Sequence, residues 1–149
     1  MRYDGDFLRY ALSKLAAVAF MYALNRRLEQ DPALSGVTAV AINPGNLTDS
    51  RAMQTNTPQS LVWAQRLIVR PLQPLLKLKD PSLRPSAAAA VDLVELATNR
   101  AHPNERGCFL YLEKTDSSPV SMDRDKQEKV WAKSLQWAGI TNENTTLEL

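Results

Sequence analysis

Tyr10 and Lys14 are the two residues in this chain whose types and spacing could support acid–base chemistry. They stand four residues apart, and on a helix this spacing places their Cβ atoms roughly 5–6 Å apart on one face. A fixed ammonium group favours the phenolate form of a neighbouring tyrosine. Such a phenol can give a proton to a carbonyl oxygen while a hydride arrives at the carbon, or take the proton back in the opposite direction. The spacing alone is a weak signal, because a core tyrosine beside a solvated lysine has the same pattern.

The segment that carries this pair is strongly periodic. Apolar residues recur at spacings of three and four from Phe7 to Gln30, which predicts a long helix with Asp6 as its N-cap. Pro32 ends this helix. The β-branched run from Val37 to Ile42 then predicts a buried strand that stops at a turn formed by residues 43–45.

Three further elements follow before the last helix. Residues 59–78 have a helical pattern that is broken by two prolines, which predicts two short helical pieces. The alanine-rich segment from Ser86 to Thr98 predicts a helix, and Cys108 to Leu112 predicts a second short strand. The buried stripe of the alanine-rich helix is expected to consist of Val91, Leu93, Val94 and Leu96.

A final helix is predicted from Asp123 to Ala138, with Asp123 as its cap and Gly139 in the usual stop position. Its expected inner face consists of Val130, Trp131, Leu135 and Ala138. The order of elements predicts an α/β protein with a parallel sheet. Two strands are too few for such a sheet, so the pattern indicates part of a larger fold.

A tyrosine and lysine on a helix, followed by a strand and a Pro-Gly turn, resemble the short-chain dehydrogenase/reductase family over nearly the whole chain. The resemblance implies the C-terminal part of a Rossmann-like doubly wound parallel sheet whose N-terminal nucleotide-binding half is missing. It implies one partial domain over residues 1–140, with a substrate-loop insertion at about 50–85, and a polar tail at 141–149. Residues 125–131 and 137–139 resemble the tail of retinol-dehydrogenase-like members of the fungal type.

By this resemblance, Tyr10 is the catalytic proton donor or acceptor, and Lys14 assists it and binds the nicotinamide ribose. Both residues therefore belong to the catalytic and the cofactor-binding set. Pro44 and Gly45 shape the turn that meets the nicotinamide, and the backbone at Leu47 contacts its carboxamide. The implied cofactor is NADP, or NAD, and the residue that would distinguish them is expected upstream.

The chain departs from the family pattern just after this turn. The family often has a threonine five residues after the proline, where this chain has Asp49. The flanking residues Thr48 and Ser50 carry hydroxyls, and the alternatives are that one of them reaches the cofactor or that neither does. Thr48 is assigned to the cofactor-binding set. Ser13, the small residue before the lysine, is interpreted as a packing residue.

Other family features would precede Tyr10 by more residues than this sequence has. They are the catalytic serine and the structural asparagine. If the chain is an enzyme of this family, Met1 is expected to be an internal methionine of a longer gene product or of a mis-predicted gene. The five glycines are too far apart for a G-x-G turn. Because such a turn lets the backbone approach a pyrophosphate at a helix N-terminus, we expect weak dinucleotide binding by these residues alone.

Composition argues against several other classes of function. A net charge of +2 with dispersed basic residues argues against nucleic-acid binding. One cysteine and one histidine, Cys108 and His102, are too few for a zinc site. The apolar stretch from Phe7 to Leu28 contains four basic residues, so neither a membrane span nor a signal peptide is expected, and the chain is predicted to be cytoplasmic and metal-free.

Three functions remain open at this point. The first is an NAD(P)-dependent oxidoreductase that interconverts a carbonyl and an alcohol on a small apolar molecule, with secondary metabolism as one setting. The second is a catalytically inactive relative that dimerises or binds a partner, with a homo-oligomer formed through the Tyr10-bearing helix. The third is a generic helical interaction module in which Tyr10 is a core residue and Pro44 and Gly45 form an ordinary turn.

Overall fold

A computed structural model describes residues 3–49, 63, 67 and 82–147 of the chain. These residues form an α/β structure of helices and small sheets. The helices are α1 (Tyr3–Gln30), α2 (Ser86–Ala97), α3 (Pro119–Met122) and α4 (Arg124–Ala138). The strands are β1 (Val40–Asn43), β2 (Asn46–Leu47), β3 (Leu83–Arg84), β4 (Gly107–Leu110) and β5 (Glu113–Thr115).

The strands form two sheets within the described residues. One has the order β1-β4-β5, and the other pairs β2 with β3 in parallel. The predicted interrupted helix at 59–78, and most of the predicted insertion at 50–85, lie outside the described residues.

The chain divides into two compact units. The first unit contains Met1–Ala41, His102–Phe109 and Glu113–Leu149, and the second contains Ile42–Ala101 and Leu110–Leu112. Each unit is described by itself below.

The core of the first unit lies where α1 packs against α3 and α4. The rings of Phe20 and Trp131 stack with their centroids 4.9 Å apart. The guanidinium of Arg27 lies 4.2 Å from the centroid of the Trp131 ring, which adds a cation–π contact. The buried apolar side chains of this unit are Ala19, Met21, Ala23, Leu28, Phe109 and Trp131.

The ends of α4 agree with the prediction. The side chain of Asp123 accepts a hydrogen bond from the backbone N–H three residues later, and Gly139 adopts the left-handed conformation with φ 65°. The predicted inner face was partly wrong. Ala138 is exposed, whereas Gln127 is buried because its side-chain amide donates to the backbone oxygen of Ser121.

Three other boundaries differ from the predictions. Asp6 is not an N-cap, because α1 already begins at Tyr3. Strand β1 spans Val40–Asn43 and is half-buried, so the predicted buried strand over residues 37–42 was placed three residues too early. Strand β4 ends at Leu110, and a two-residue connection leads into β5, which the sequence did not predict.

The inward face of α2 in the second unit was also predicted wrongly. Val91, Leu93 and Val94 are exposed, and of the predicted stripe only Leu96 is buried. The buried face instead contains Ala89, Asp92 and Leu96, which recur at spacings of three and four. Asp92 is buried because its carboxylate is paired with the guanidinium of Arg84 at 2.6 Å.

Candidate functional site

Tyr10 and Lys14 lie one turn apart on α1, and their side chains meet. The ammonium nitrogen of Lys14 is 5.3 Å from the centroid of the Tyr10 ring. Tyr10 is 61% exposed, so its hydroxyl is accessible to a molecule approaching from solvent. Ser13 between them is exposed and donates its hydroxyl to the backbone oxygen of Tyr10 at 2.7 Å, so its interpretation as a packing residue was wrong.

The C-terminal half of α1 anchors the helix that presents this pair. Arg26 and Arg27 each form a 2.7 Å ion pair with Glu128 of α4. These two guanidinium groups lower the pKa of the Glu128 carboxyl to about 2. Asn25 is buried and bridges to the backbone of Ala39, which ties α1 to the segment that enters β1.

A second tyrosine on α1 shows the opposite environment. Tyr22 is half-buried, and its hydroxyl is hydrogen-bonded to that of Ser117, which in turn contacts the Cys108 thiol at 3.0 Å. Burial raises the pKa of Tyr22, and the hydrogen bond with Ser117 opposes that effect. Tyr22 is therefore a half-buried, hydrogen-bonded tyrosine on the same helix that exposes Tyr10.

The Pro44–Gly45 turn lies in the second unit and is tightly constrained. The side-chain oxygen of Asn43 accepts a hydrogen bond from the Gly45 N–H at 3.0 Å, and Gly45 has φ +79°. A Cβ atom at Gly45 would lie 2.8 Å from the backbone oxygen of Ser82 and 2.8 Å from the ring carbon Cε1 of Tyr111. Only glycine fits this position, on both conformational and steric grounds.

Leu47 and Thr48 follow the turn on and beyond strand β2. The backbone N–H of Asn46 donates to the oxygen of Ser82, just before β3, and that of Thr48 donates to the oxygen of Arg84 in β3. Because alternate residues of a strand direct their N–H groups to opposite sides, the N–H of Leu47 points away from β3. The hydroxyl of Thr48 lies 3.4 Å from the backbone oxygen of Arg84, which orients it toward β3.

Asp49, the departure from the family pattern, has a structural contact in this unit. Its carboxylate accepts from the backbone N–H and the hydroxyl of Ser86, at 2.7 and 2.6 Å. Ser86 is the first residue of α2, and its N-cap, Pro85, makes no side-chain capping bond. The Asp49 carboxylate thus satisfies a free N–H group and complements the positive end of the helix. Ser50, the other candidate hydroxyl, lies outside the described residues.

Arg84 and Tyr111 are two residues beside the turn that sequence reasoning missed. The Arg84 guanidinium lies 4.8 Å from the centroid of the Tyr111 ring, and Tyr111 has φ 59°. A left-handed conformation costs an ordinary residue about 1–2 kcal/mol. No sequence signal identified this turn, because Tyr-Leu is not a typical turn dipeptide.

The predicted site residues thus fall into two sets. Tyr10 and Lys14 are brought together in the first unit, and residues 44, 45, 47 and 48 are brought together in the second. Trp63 and Leu67, which lie in the predicted substrate-loop insertion, are exposed, and most of the rest of that insertion lies outside the described residues.

Helix α1 is also long and apolar enough to cross a membrane when judged by length and composition alone. The segment with these properties is Phe7–Gln30, of which only a small part is buried. The same properties are found in core helices of soluble proteins and in signal sequences. The expectation of no membrane span stays a prediction.

Comparison with known proteins identifies the family. Residues 51–147 match the AcuH dehydrogenase domain. Dehydrogenase acuH of Aspergillus aculeatus is 40% identical over 92 residues, covering 62% of this chain and 94% of that protein. The chain therefore belongs to the AcuH dehydrogenase domain family.

Two longer relatives match more of the chain. Short-chain dehydrogenase iccH of Talaromyces variabilis is 29% identical over 151 residues, covering 94% of this chain and 39% of that protein. Polyprenol dehydrogenase of Homo sapiens is 35% identical over 133 residues, covering 88% of this chain and 36% of that protein. No solved structure matches.

These matches confirm the predicted resemblance to the C-terminal part of short-chain dehydrogenases. The retinol-dehydrogenase-like type and the choice between NADP and NAD stay predictions. Tyr10, Lys14 and the Pro44–Gly45 turn precede the matched family domain, which begins at residue 51.

Proposed function

We propose that this chain carries the proton-transferring residues of an NAD(P)-dependent oxidoreductase that interconverts a carbonyl and an alcohol on a small apolar molecule. One observation carries the proposal: the Lys14 ammonium lies over the ring of an exposed tyrosine one turn away, at 5.3 Å from its centroid. The dehydrogenase names of its relatives support an oxidoreductase of the short-chain type. We place the chain in a partial Rossmann-like sheet, as the family resemblance implies.

Tyr10 is the proton donor and acceptor in this proposal. During reduction, its hydroxyl gives a proton to the carbonyl oxygen, and during oxidation the phenolate takes a proton from the alcohol. Lys14 places a positive charge over the Tyr10 ring, 5.3 Å from its centroid. The exposure of Tyr10 leaves its hydroxyl open to a substrate oxygen, whereas the hydroxyl of Tyr22 is bonded to Ser117.

Each unit is considered by itself for the proposed cofactor. In the first unit, the Lys14 ammonium is a donor of the kind that binds ribose hydroxyls. In the second unit, the Leu47 N–H points away from β3. The bound nicotinamide would supply or accept the hydride. Pro44 and Gly45 would shape the surface beneath the ring, and Thr48 would act through its backbone, since its hydroxyl is turned toward Arg84.

The substrate class rests on apolar side chains in and near the predicted insertion. Trp63 and Leu67 are 61% and 65% exposed, and large exposed apolar side chains commonly mark binding surfaces. The name of the human relative points to a polyprenol as that protein's substrate. We therefore propose an apolar alcohol or aldehyde as the substrate, a cytoplasmic location and a role in secondary metabolism.

The direct test is nucleotide binding and turnover by the purified chain. NADPH and NADH are titrated while their fluorescence is followed, and turnover is then measured with apolar primary and secondary alcohols. We expect saturable binding of one nucleotide. Replacement of Tyr10→Phe should lower kcat by roughly 10²–10⁴-fold while nucleotide binding changes little.

Tyr22→Phe is the matched control, since it removes a hydroxyl from the same helix at a half-buried position. It should lower stability and leave kcat near the wild-type value. Absence of saturable binding to either nucleotide would refute the enzyme proposal for this polypeptide. Equal turnover by Tyr10→Phe and the wild type would refute the role of Tyr10 and leave the enzyme proposal standing.

A second candidate is a dimerising or partner-binding relative without catalysis. The observation that favours it is an apolar surface on α1, where Phe7, Leu8 and Leu12 are 74%, 58% and 53% exposed. Such surfaces commonly mark interfaces. Light scattering after size exclusion tests it: a homodimer that Leu8→Glu converts to a monomer supports association through this helix, and a wild-type monomer at high concentration contradicts it.

A further inference from the structure

Tyr111 occupies a backbone position that disfavours its residue type. It is the first residue of the two-residue connection between β4 and β5, and its φ is 59°. Connections of this length favour asparagine, aspartate and glycine, because their central residues have positive φ. A bulky residue persists in this conformation only where its surroundings hold it there, and such positions concentrate at functional sites.

The neighbours of Tyr111 include the Pro-Gly turn and Arg84. Its N–H donates to the backbone oxygen of Asn43 at 3.1 Å. Its ring edge is so close to Gly45 that a Cβ there would lie 2.8 Å from Cε1 and 3.1 Å from the hydroxyl. The Arg84 guanidinium lies 4.8 Å from the ring centroid and is itself held by Asp92 at 2.6 Å.

The ring therefore contacts both the turn and a guanidinium that is held by an ion pair. The Asn43 side chain holds the Gly45 N–H from within the turn, and Tyr111 contacts the same glycine from outside it. Removing the ring would open space beside Gly45, while the hydrogen bond between the Gly45 N–H and the Asn43 side chain remains. The conformational freedom of the turn then depends on the aromatic ring and not on the Tyr111 hydroxyl.

We propose that Tyr111 is a positioning residue for nicotinamide binding, and that it acts by fixing the Pro44–Gly45 turn. This inference rests on the proposed function, because the turn is assigned there to the nicotinamide. Arg84 supports the role through its cation–π contact with the ring. Tyr111 itself does not touch the reacting atoms in this proposal.

The test separates the ring from the backbone conformation. Tyr111→Asn removes the ring but suits the left-handed conformation, so it should fold and keep a melting temperature close to that of the wild type. Tyr111→Phe keeps the ring and should behave as the wild type. Hydrogen exchange of the amides at residues 43–47 is measured without nucleotide, and the Kd for NADPH is then measured by fluorescence.

We expect Tyr111→Asn to accelerate amide exchange of the turn and to weaken NADPH binding by at least about tenfold. Tyr111→Phe and the distant control Tyr22→Phe should leave both quantities near the wild-type values. A purely structural role predicts a lower melting temperature in proportion to any loss of binding, which would overturn the proposal.

The inference and the proposed function fail in different ways. Wild-type protein that binds neither NADPH nor NADH refutes the proposed function and, with it, the cofactor role of Tyr111, although faster exchange in Tyr111→Asn would still show that the ring fixes the turn. Wild-type protein that binds NADPH no better than Tyr111→Asn refutes the positioning role and leaves the proposed function standing. Tyr111→Asn that denatures at a much lower temperature also counts against it, because the left-handed turn would then need the ring for folding.

Discussion

The two halves of α1 have the same secondary structure and opposite environments. From Phe7 to Lys14 every described side chain is exposed, whereas Ala19, Met21, Ala23, Asn25 and Leu28 in the second half are buried. The second half carries the contacts to α4, and the first half carries the tyrosine and lysine. A helix can thus hold a pair of side chains such as Tyr10 and Lys14 at a defined position by anchoring its far end, without burying the pair itself.

The anchored half combines apolar, aromatic and ionic contacts around one ring. Trp131 is stacked on Phe20 and lies beneath the Arg27 guanidinium, and Arg27 is paired in turn with Glu128. A cation–π contact of this kind contributes about 0.5–2 kcal/mol, and burial of an indole ring contributes more. Trp131 is therefore the residue on which the difference between the two halves most depends.

The largest effect on stability is expected from Trp131→Ala. Trp131 is 4% exposed, and its removal deletes a buried ring together with its contacts to Phe20 and Arg27. We expect a loss of about 3–5 kcal/mol in the free energy of unfolding, measured by urea denaturation. Phe7→Ala is the control, because Phe7 is 74% exposed and should change stability by about 0.5 kcal/mol or less. Similar losses in the two variants would mean that the first half of α1 is buried in solution.

A smaller effect is expected at Asn25, which bridges the buried half of α1 to the backbone of Ala39. Its side chain donates to the Ala39 oxygen at 2.8 Å and accepts from the Ala39 N–H at 2.9 Å. Asn25→Ala leaves both backbone groups without these partners, so we expect a loss of about 2 kcal/mol in the free energy of unfolding.

Asn144 provides a matched control for Asn25. It makes the same two kinds of bond, accepting from the Thr141 N–H and donating to the Gly139 oxygen, but it is exposed. Water replaces these partners, so Asn144→Ala should cost about 0.5 kcal/mol or less. An equal cost at the two positions would show that burial does not set the strength of the Asn25 bridge.

Helix limits that are marked by nearby residues were predicted better from the sequence than buried helix faces, which depend on contacts between residues distant in sequence. The limits of α4 were predicted well because Asp123 and Gly139 act within one turn of the helix they bound. The inward face of α2 was predicted wrongly because Asp92 is buried only through its pairing with Arg84. Periodicity counts apolar residues and does not include such a partner.

The candidate site shows the same division. The Tyr10–Lys14 contact follows from helical spacing, so it was predictable from two residues on one element. The contact of Tyr111 with Gly45 joins residues far apart in sequence, and Asp49 caps α2 across a separation of 37 residues. Neither contact leaves a mark in the local sequence pattern.

Glu128→Gln tests the ionic part of the anchor. Glu128 accepts bonds from Arg26 and Arg27, but its side chain is 42% exposed, so solvent screening limits the expected loss to about 1 kcal/mol at neutral pH. The folded-state pKa of Glu128 is about 2, below its usual value of 4.5. The stabilisation is therefore present above about pH 4.5 and is lost as the pH falls toward 2.

Urea denaturation of the wild type and Glu128→Gln at several pH values measures this dependence. The difference in unfolding free energy should be largest near neutral pH and should vanish toward pH 2. Glu95→Gln is the control, because Glu95 lies 3.8 Å from the highly exposed Arg100 and should change stability little at neutral pH. A difference that stayed constant down to pH 2 would exclude the ion pairs as its cause.

The smallest effect is expected at Gly5 in the exposed half of α1. A Cβ at Gly5 would meet nothing within 4 Å, so alanine fits there without a clash. Alanine also loses less conformational entropy than glycine in a helix, so Gly5→Ala should stabilise the protein by about 0.5 kcal/mol if this half is helical in solution. Ala17→Gly, at an exposed position nearer the middle of the helix, should instead cost up to about 1 kcal/mol. If Ala17→Gly lowers the free energy of unfolding but Gly5→Ala does not raise it, the frayed end of α1 extends close to Tyr10. A defined position of the Tyr10–Lys14 pair would then require a partner that covers this half of the helix.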